Sequence, residues 1–275
     1  MDVLESLSRN ARNCEYKYQR LYRNLYNPEF YLLAYQNIYA KAGNMTKGTD
    51  GQTIDGMGMT RISKIIDNMK NHSYTPNPAR RVYIEKANGK KRPLGIPSVD
   101  DKLVQEVVRM ILESIFEKTF SRLSHGFRPN RSCHTALVQI KKEFTGAKWF
   151  VEGDIKGFFD NIDHQIMVGA LRTRIEDEYF IALIWKFLKA GYLEDWTFNK
   201  TYSGTPQGSI ISPILSNIYL DTFDKYMEKY IEQFDKGETH RRMKEYRFWE
   251  HKLDVKRNEN NLLWKTLSEE KKHKH

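Results

Sequence analysis

Apolar residues at alternating spacings of three and four open the chain. They form one stripe from Leu4 to Leu25, which predicts a long amphipathic helix that ends at Asn27-Pro28. Further helices are predicted from Phe30 to Ile38 and over about residues 60–71. Residues 43–58, which lie between these two helices, are rich in glycine and threonine and predict a loop.

Other segments have the signals of strands. Residues 80–86 and 91–96 flank a turn that contains Asn88-Gly89, a strong hairpin signal. A second hairpin is predicted between Gly191 and Thr205. A strand is also predicted from Trp149 to Asp154, because an apolar, β-branched run leads into the aspartate. This strand would place a carboxylate at its C-terminal end.

Apolar stripes predict helices for most of the remaining chain. Ser98 and Asp101 have the spacing of a capping box, and they open a long helix that carries Leu103 to Phe120. Helices are also predicted over about 132–144, 164–175, 178–189 and 211–234. Residues 235–275 are dense in charge of both signs and predict an exposed helical insertion, for which order and partial disorder are both left open.

Composition narrows the class of partner. The 275 residues carry a net charge of +10 with 13% aromatic residues, which favours a nucleic-acid partner, although a basic protein that is merely soluble has the same composition. Cys14 and Cys133 lack zinc-ligand spacing. No apolar run approaches ~18 residues, so no membrane span is expected. The few cysteines and the absence of a signal peptide favour a cytoplasmic location.

Four segments in order carry a more specific signal. They are Arg92 to Ser98 (RPLGIPS), His125 to Ser132 (HGFRPNRS), Trp149 to His164 (WFVEGDIKGFFDNIDH) and Gly204 to Pro213 (GTPQGSIISP). Together they resemble reverse transcriptases, most closely those of group II intron maturases, over about residues 45–230. The resemblance implies an α/β (α+β) right-hand polymerase fold, with helix-rich fingers, a fingers β-hairpin and a partial palm with a small antiparallel sheet.

The resemblance also divides the chain into regions. They are an N-terminal helical extension (1–45), fingers (46–148), a palm strand and turn (149–165), a helical fingers segment with a β-hairpin (166–205), a palm helix (206–234) and the charged insertion (235–275).

A nucleotide site follows from the same resemblance. Asp154 and the Ile155 carbonyl would bind Mg²⁺ in a two-metal site. Phe159 would block a 2′ hydroxyl, whereas Phe158 is expected in the core. Predicted contacts to the nucleotide are also Lys86, Lys90, Arg92 and Gln207. A solvated turn is the alternative for each lysine, a loop that leads into a helix is the alternative for Gln207, and core packing is the alternative for Phe159.

One family motif is absent from the sequence. The Tyr-x-Asp-Asp turn that shares the metals does not occur, and the adjacent pair Asp100-Asp101 is interpreted as helix capping because it starts a helix. We therefore expect this chain to lack one wall of the metal site, and to bind RNA without polymerising alone.

Two groups of basic residues are candidate phosphate contacts, one on the other faces of the predicted N-terminal helix and one in the HGFRPNRS segment. The predicted RNA-binding residues are Arg9, Arg12, Lys17, Arg20, Arg23, His125, Arg128 and Arg131. The alternatives are a solvated basic face and, for Arg128, a buried contact that tethers its loop.

The resemblance implies an RNA-directed DNA polymerase that also binds intron RNA to promote splicing and mobility. Its partners would be group II intron RNA, an RNA template with a DNA primer, and dNTPs. The alternatives are a non-catalytic RNA-binding module and a related retron-type or diversity-generating reverse transcriptase. The sequence leaves the oligomeric state open, a homodimer included.

Overall fold

The computed structural model describes residues 2–85, 87, 89–195, 197–205, 208–234 and 243–272, with side chains as far as 267. Residues 1–227 form one compact unit and residues 228–275 a second. The helices are α1 (Asp2–Asn10), α2 (Pro28–Tyr39), α3 (Met59–Lys70), α4 (Val99–Phe116), α5 (Cys133–Glu143), α6 (His164–Arg172), α7 (Glu178–Lys189), α8 (Ser212–Phe234) and α9 (Lys244–Lys272). The strands are β1 (Ala79–Glu85), β2 (Lys91–Ile96), β3 (Tyr192–Glu194) and β4 (Thr197–Asn199). Short 3₁₀ helices cover Tyr22–Tyr26, Ile54–Gly56, Glu117–Thr119 and Phe158–Asp160.

The helix α4 is the centre of the core. Leu103, Val107 and Ile111 are fully buried, and the helix packs against α1 and α2. Its start is as predicted, because the Ser98 hydroxyl accepts a hydrogen bond from the Asp101 amide. The mixed, helix-rich α/β class is thereby confirmed, together with most of the predicted helices.

The buried carboxylate of Asp101, in the first turn of α4, binds the segment that precedes β1. Asp101 accepts hydrogen bonds from the Tyr74 hydroxyl at 2.5 Å, the Ser98 hydroxyl at 2.6 Å and the Asn77 amide at 3.0 Å. Burial raises the pKa of the Asp101 carboxyl above its ordinary value and raises the pKa of the Tyr74 phenol well above its own. This network fixes the base of the first hairpin on the core.

The two predicted hairpins are confirmed, and they join in one mixed sheet of order β2-β1-β3-β4. The β1–β2 pair is antiparallel, with Arg81 opposite Gly95 and Ile84 opposite Arg92. The β1–β3 pair is parallel and short, beginning where Ala79 lies opposite Tyr192. The second hairpin therefore extends the first on its β1 side.

The predicted N-terminal helix is wrong beyond Asn10, where α1 ends. The chain turns there and pairs at Tyr18, whose amide donates to the Arg174 carbonyl and whose carbonyl accepts from the Glu176 amide, both at 2.9 Å. The Arg174 guanidinium holds the turn by donating to the Ala11 and Asn13 carbonyls. Tyr18, Leu21 and Leu25 of the stripe are still buried, whereas Cys14 is exposed.

The predicted strand Trp149–Asp154 is also wrong. Its residues have no strand assignment, and Trp149 and Val151 are 89% and 92% exposed. A strand is stable only when its backbone pairs with a neighbour, and no strand of the described residues lies beside this segment. The predicted antiparallel palm sheet is therefore absent from the described part of the chain.

The predicted charged helix is confirmed over residues 244–272 as α9, whereas residues 235–242 lie outside the described residues. Its described side chains are almost all exposed, and the Lys252 ammonium lies 4.7 Å from the Phe248 ring centroid. Among the described residues, no helix combines the length and hydrophobicity needed to cross a membrane.

Candidate functional site

A cleft of about 400 Å³ lies between the sheet and the loop that follows β4. Its lining residues are Arg81, Pro93, Gly95, Phe159, Asp160, Tyr192 and residues 200–205. The cleft therefore brings together parts of three of the four sequence segments that carry the resemblance.

Backbone hydrogen bonds hold the loop onto the Phe159 turn. The Thr205 amide donates to the Phe159 carbonyl at 2.7 Å, and the Gly204 amide donates to the Ile162 carbonyl at 2.7 Å. Gly204 has φ +82°, and a Cβ at this position would lie 2.5 Å from the Phe159 carbonyl oxygen. Only glycine allows this close approach in the left-handed region.

Two buried side chains fix the ends of the same loop. The Gln105 Oε1 atom on α4 accepts from the Ser209 hydroxyl at 2.8 Å and from the Ile210 amide at 2.9 Å. At the other end, the His164 Nε2 donates to the Gly204 carbonyl at 2.7 Å. Neither anchor was predicted from the sequence. The signal for Gln105 was a polar residue within an otherwise apolar helical stripe.

The two adjacent phenylalanines face different surroundings. Phe159 lines the cleft. Phe158 packs against the core and makes an edge contact with the Tyr219 ring, at 6.0 Å between centroids. The structure therefore places the two rings as the sequence analysis expected, and the role of Phe159 toward a sugar stays a prediction.

The other predicted nucleotide contacts are not gathered in the cleft. Lys90 and Arg92 are exposed on the first hairpin, and strand alternation turns Arg92 to the face opposite Pro93 and Gly95. Lys86 and Gln207 lie outside the described residues. A nearby cation that the sequence analysis did not select, Arg81, lies over the Tyr192 ring at 3.6 Å.

Asp154 is exposed in the irregular segment before the Phe159 turn, and Ile155 is 59% exposed. In the part of the chain that the structure describes, no group of three His, Cys, Asp or Glu side chains could hold a metal ion. Asp154 and the Ile155 carbonyl could supply oxygen ligands, but two ligands do not complete a Mg²⁺ site.

The loop before α5 uses its basic residues internally. Arg128 is buried, and it donates to the Glu117 carboxylate at 3.0 Å and to the Ser121 and Ser124 carbonyls at 2.7 and 2.8 Å. For Arg128 the structure thus favours the tethering alternative over the predicted RNA contact, because its donors point inward.

His125 and Arg131 also make contacts within this region. The His125 ring nitrogens lie 2.8 Å from the Thr135 hydroxyl and 2.7 Å from the Gln139 Oε1. Arg131 donates to the Arg122 carbonyl at 2.7 Å and remains partly exposed. Both ring nitrogens of His125 thus lie within hydrogen-bond distance of protein groups. The exposed part of the Arg131 side chain could still contact a phosphate.

The N-terminal arginines are on the surface. Four are exposed, namely Arg9, Arg12, Arg20 and Arg23. Arg9 and Arg12 share a cavity of about 490 Å³ with Lys118. Lys17 differs, because its ammonium donates to the Thr173 carbonyl at 2.7 Å at the end of α6. Lys17 therefore makes a structural contact as well as carrying charge.

Comparison with known proteins gives consistent similarities. A family model described as reverse transcriptase (RNA-dependent DNA polymerase) matches residues 84–246. The group II intron-encoded protein LtrA of Lactococcus lactis subsp. cremoris is 54% identical over 249 residues, which are 90% of this chain and 42% of that protein. A 91 kDa protein in the cob intron of Schizosaccharomyces pombe is 45% identical over 86% of this chain and 30% of its own length. The chain thus spans less than half of these relatives.

A solved structure shows the same fold. The chain matches part of a Cas6-RT-Cas1–Cas2 complex with a TM-score of 0.51 and 22% identity, over 77% of this chain and 35% of that one. At this identity the match supports only the architecture.

Proposed function

Since this chain belongs to the reverse transcriptase family, we propose that it supplies the fingers and part of the palm of an RNA-directed DNA polymerase of the group II intron maturase type. The observation that carries the proposal is the cleft, where the first hairpin, the Phe159 turn and the segment that ends at Gly204 and Thr205 meet. In the whole protein its partners would be intron RNA, an RNA template with a DNA primer, and dNTPs.

We propose the same division into regions as in the sequence analysis. The fingers comprise residues 46–148 and 166–205, the palm comprises 149–165 and 206–234, and 1–45 and 235–275 form the extension and the charged insertion. The sheet of four strands then belongs entirely to the fingers, because β1 to β4 all lie within residues 79–199.

In this proposal the cleft orients a nucleotide. Phe159 forms the wall next to the sugar, and the anchored loop continues this wall at Gly204 and Thr205, whose amide donates to the Phe159 carbonyl. Such fixed walls align reacting groups, and small misplacements can cost ~10²-fold in rate. Lys90 and Arg92 remain proposed triphosphate contacts from the hairpin, where cations would neutralise phosphate charge. Because Arg92 lies on the face opposite Pro93 and Gly95, it would have to contact the triphosphate from outside the cleft.

Enzymes of this family use divalent metal ions, which neutralise charge on the reacting phosphate. We propose Asp154 and the Ile155 carbonyl as ligands of such an ion. The described residues do not form a complete site by themselves, so Asp154 is only one of the carboxylates that the reaction requires.

RNA binding is the second part of the proposed function. The exposed arginines near the N-terminus and the net charge of +10 support it. Filter binding of the chain to RNA over a series of salt concentrations tests it, because the logarithm of affinity falls by about 0.7–0.9 per neutralised phosphate for each unit of log salt. We expect a steep decrease. Affinity that is absent, or that does not change with salt, would contradict the proposal.

A non-catalytic RNA-binding module is the alternative, because the exposed N-terminal arginines and the net charge of +10 fit it as well as they fit the polymerase. A chimera separates the two, in which this chain replaces the matching segment of the Lactococcus lactis relative. Primer extension by this chimera supports the polymerase. A chimera that binds RNA but does not extend, beside an active parent, supports the module. Relatives named for introns favour the intron type over retron-type enzymes.

A further inference from the structure

A second pocket, of about 470 Å³, adjoins the cleft. The two cavities share Lys200, Thr201 and Tyr202. The remaining lining residues of the second pocket are Asp163, His164, Gln165, Trp185, Lys189 and Phe198. A strand that leaves the cleft past Tyr202 would therefore enter this pocket.

Aromatic rings dominate the walls of the second pocket. Trp185 comes from α7 and Phe198 from β4, while Tyr202 is 84% exposed at the boundary with the cleft. Phe198 is 49% exposed, and its ring lies against Gly191, where a Cβ would be 2.7 Å from the ring. Because the Gly191 backbone covers part of this ring, its remaining surface is available for stacking.

The charge of this pocket is positive where it meets solvent. The Lys189 ammonium lies 4.7 Å from the Trp185 ring centroid, and Lys200 lies on the shared rim. The acidic lining residue, Asp163, already caps α6 by accepting from the Gln165 and Ile166 amides at 2.7 and 2.9 Å. The Oδ1 atom of this exposed carboxylate is thus bound at the start of α6.

Aromatic rings beside cations are the combination that binds single-stranded nucleic acid, since bases stack and phosphates are neutralised. We propose that the second pocket binds a base of single-stranded RNA, in the unpaired part of the strand that continues from the cleft. This inference rests on the proposed function, which places a nucleotide in the cleft, where it would pair with a base of the template strand. It adds a stacking site in the exposed rings of Phe198 and Tyr202, beside Trp185 and Lys189.

The test measures binding of the 275-residue chain to a fluorescent single-stranded RNA oligonucleotide and to duplex RNA of equal length. Alanine replacement at a stacking ring typically weakens binding by ~5- to 150-fold. Tyr202→Ala is therefore expected to weaken single-strand binding within this range. It should change duplex binding less than about twofold and leave the salt slope unchanged. Lys200→Gln should instead lower the slope by about 0.7.

The matched control is Tyr226→Ala, an aromatic that is 63% exposed on α8, outside the pocket. It should behave as the parent. Phe198→Leu is the second variant, because leucine keeps apolar packing against Gly191 while removing the ring. It should also weaken single-strand binding.

The proposed base-binding role of the pocket would be overturned if Tyr202→Ala and Phe198→Leu both bind single-stranded RNA within twofold of the parent affinity. That result would leave the proposed function standing. Equal losses for single-stranded and duplex RNA would also overturn the base-binding role. A parent chain that binds neither RNA would contradict the proposed function itself.

Discussion

The two phenylalanines of the Phe158–Asp160 turn allow a sharp test, because they are adjacent and differ in surroundings. Phe159 faces the cleft, and Phe158 faces the core and Tyr219. In the proposed polymerase, Phe159→Ala opens space beside the sugar for a 2′ oxygen. Phe158→Ala instead removes a packed ring and leaves that space unchanged.

The structure sets the size of each effect. Replacing a fully buried phenylalanine by alanine costs about 3–5 kcal/mol. Phe158 is only half-buried, but its edge contact with Tyr219 adds about 0.5–1.5 kcal/mol, so we expect a loss of about 2–4 kcal/mol. We expect Phe159→Ala to cost less than about 2 kcal/mol, and to raise ribonucleotide relative to deoxyribonucleotide use by up to ~100-fold.

Two assays separate these outcomes. Denaturant unfolding of the chain measures stability, and primer extension by the chimera gives the ratio of kcat/KM values for the two sugars, which measures specificity. A relaxed sugar choice in Phe158→Ala with none in Phe159→Ala would refute the assigned facing of the rings. If the ratio of kcat/KM values is unchanged in both variants, the residues that discriminate between the two sugars lie outside this turn.

Three further predictions concern the surface, the loop anchor and the buried carboxylate. Glutamine replacement of the four exposed arginines should lower the salt slope of RNA binding by up to about 2.8–3.6, at about 0.7–0.9 for each phosphate contact, without changing the circular-dichroism melt. An unchanged slope would show that these arginines form only a solvated basic face. These are Arg9, Arg12, Arg20 and Arg23. Gln105→Met should cost about 2–4 kcal/mol of unfolding free energy, because the buried Ser209 hydroxyl and the part-buried Ile210 amide lose their acceptor. A double-mutant cycle with Ser209→Ala should show coupling, and additive losses would argue against the anchor. Because the pKa of Asp101 is raised in the fold, its contribution to stability is present below the ordinary carboxyl pKa and decreases as pH rises through the raised value. The stability advantage of the parent over Asp101→Asn should therefore shrink with rising pH across that range, and an advantage that grows would contradict the desolvation argument.

Local signals predicted much of the fold. The Asn88-Gly89 signal located the first hairpin, and Ser98 located the start of α4. In both cases the determining interaction lies within a few residues along the chain, so the sequence contains it.

The two wrong secondary-structure predictions lie where contacts with residues distant in the sequence determine the backbone conformation. The apolar stripe from Leu4 to Leu25 fits a helix, but pairing between Tyr18 and the Arg174–Glu176 segment ends α1 at Asn10. The segment before Asp154 has strand composition, yet no described strand lies beside it. Periodicity shows which residues are apolar, and it does not show which backbone partner is available.

The same limit applies to the candidate site. The family-like segments pointed to the Phe159 turn and the glycine loop, and the structure brings these two together. The anchors Gln105 and His164 were missed, because each acts across many intervening residues. Arg128 was selected for its charge, whereas its burial depends on carbonyls of the Ser121–Ser124 turn.

The most direct test of the central claim is Asp154→Asn in the chimera, with primer extension and RNA affinity measured on the same preparation. The substitution keeps the shape of an exposed side chain and removes the charge that would bind a metal ion. The proposed function predicts that extension with either nucleotide is abolished while RNA affinity stays within about twofold of the parent chimera. Extension at the parent rate would contradict the assignment of Asp154 to the polymerase site.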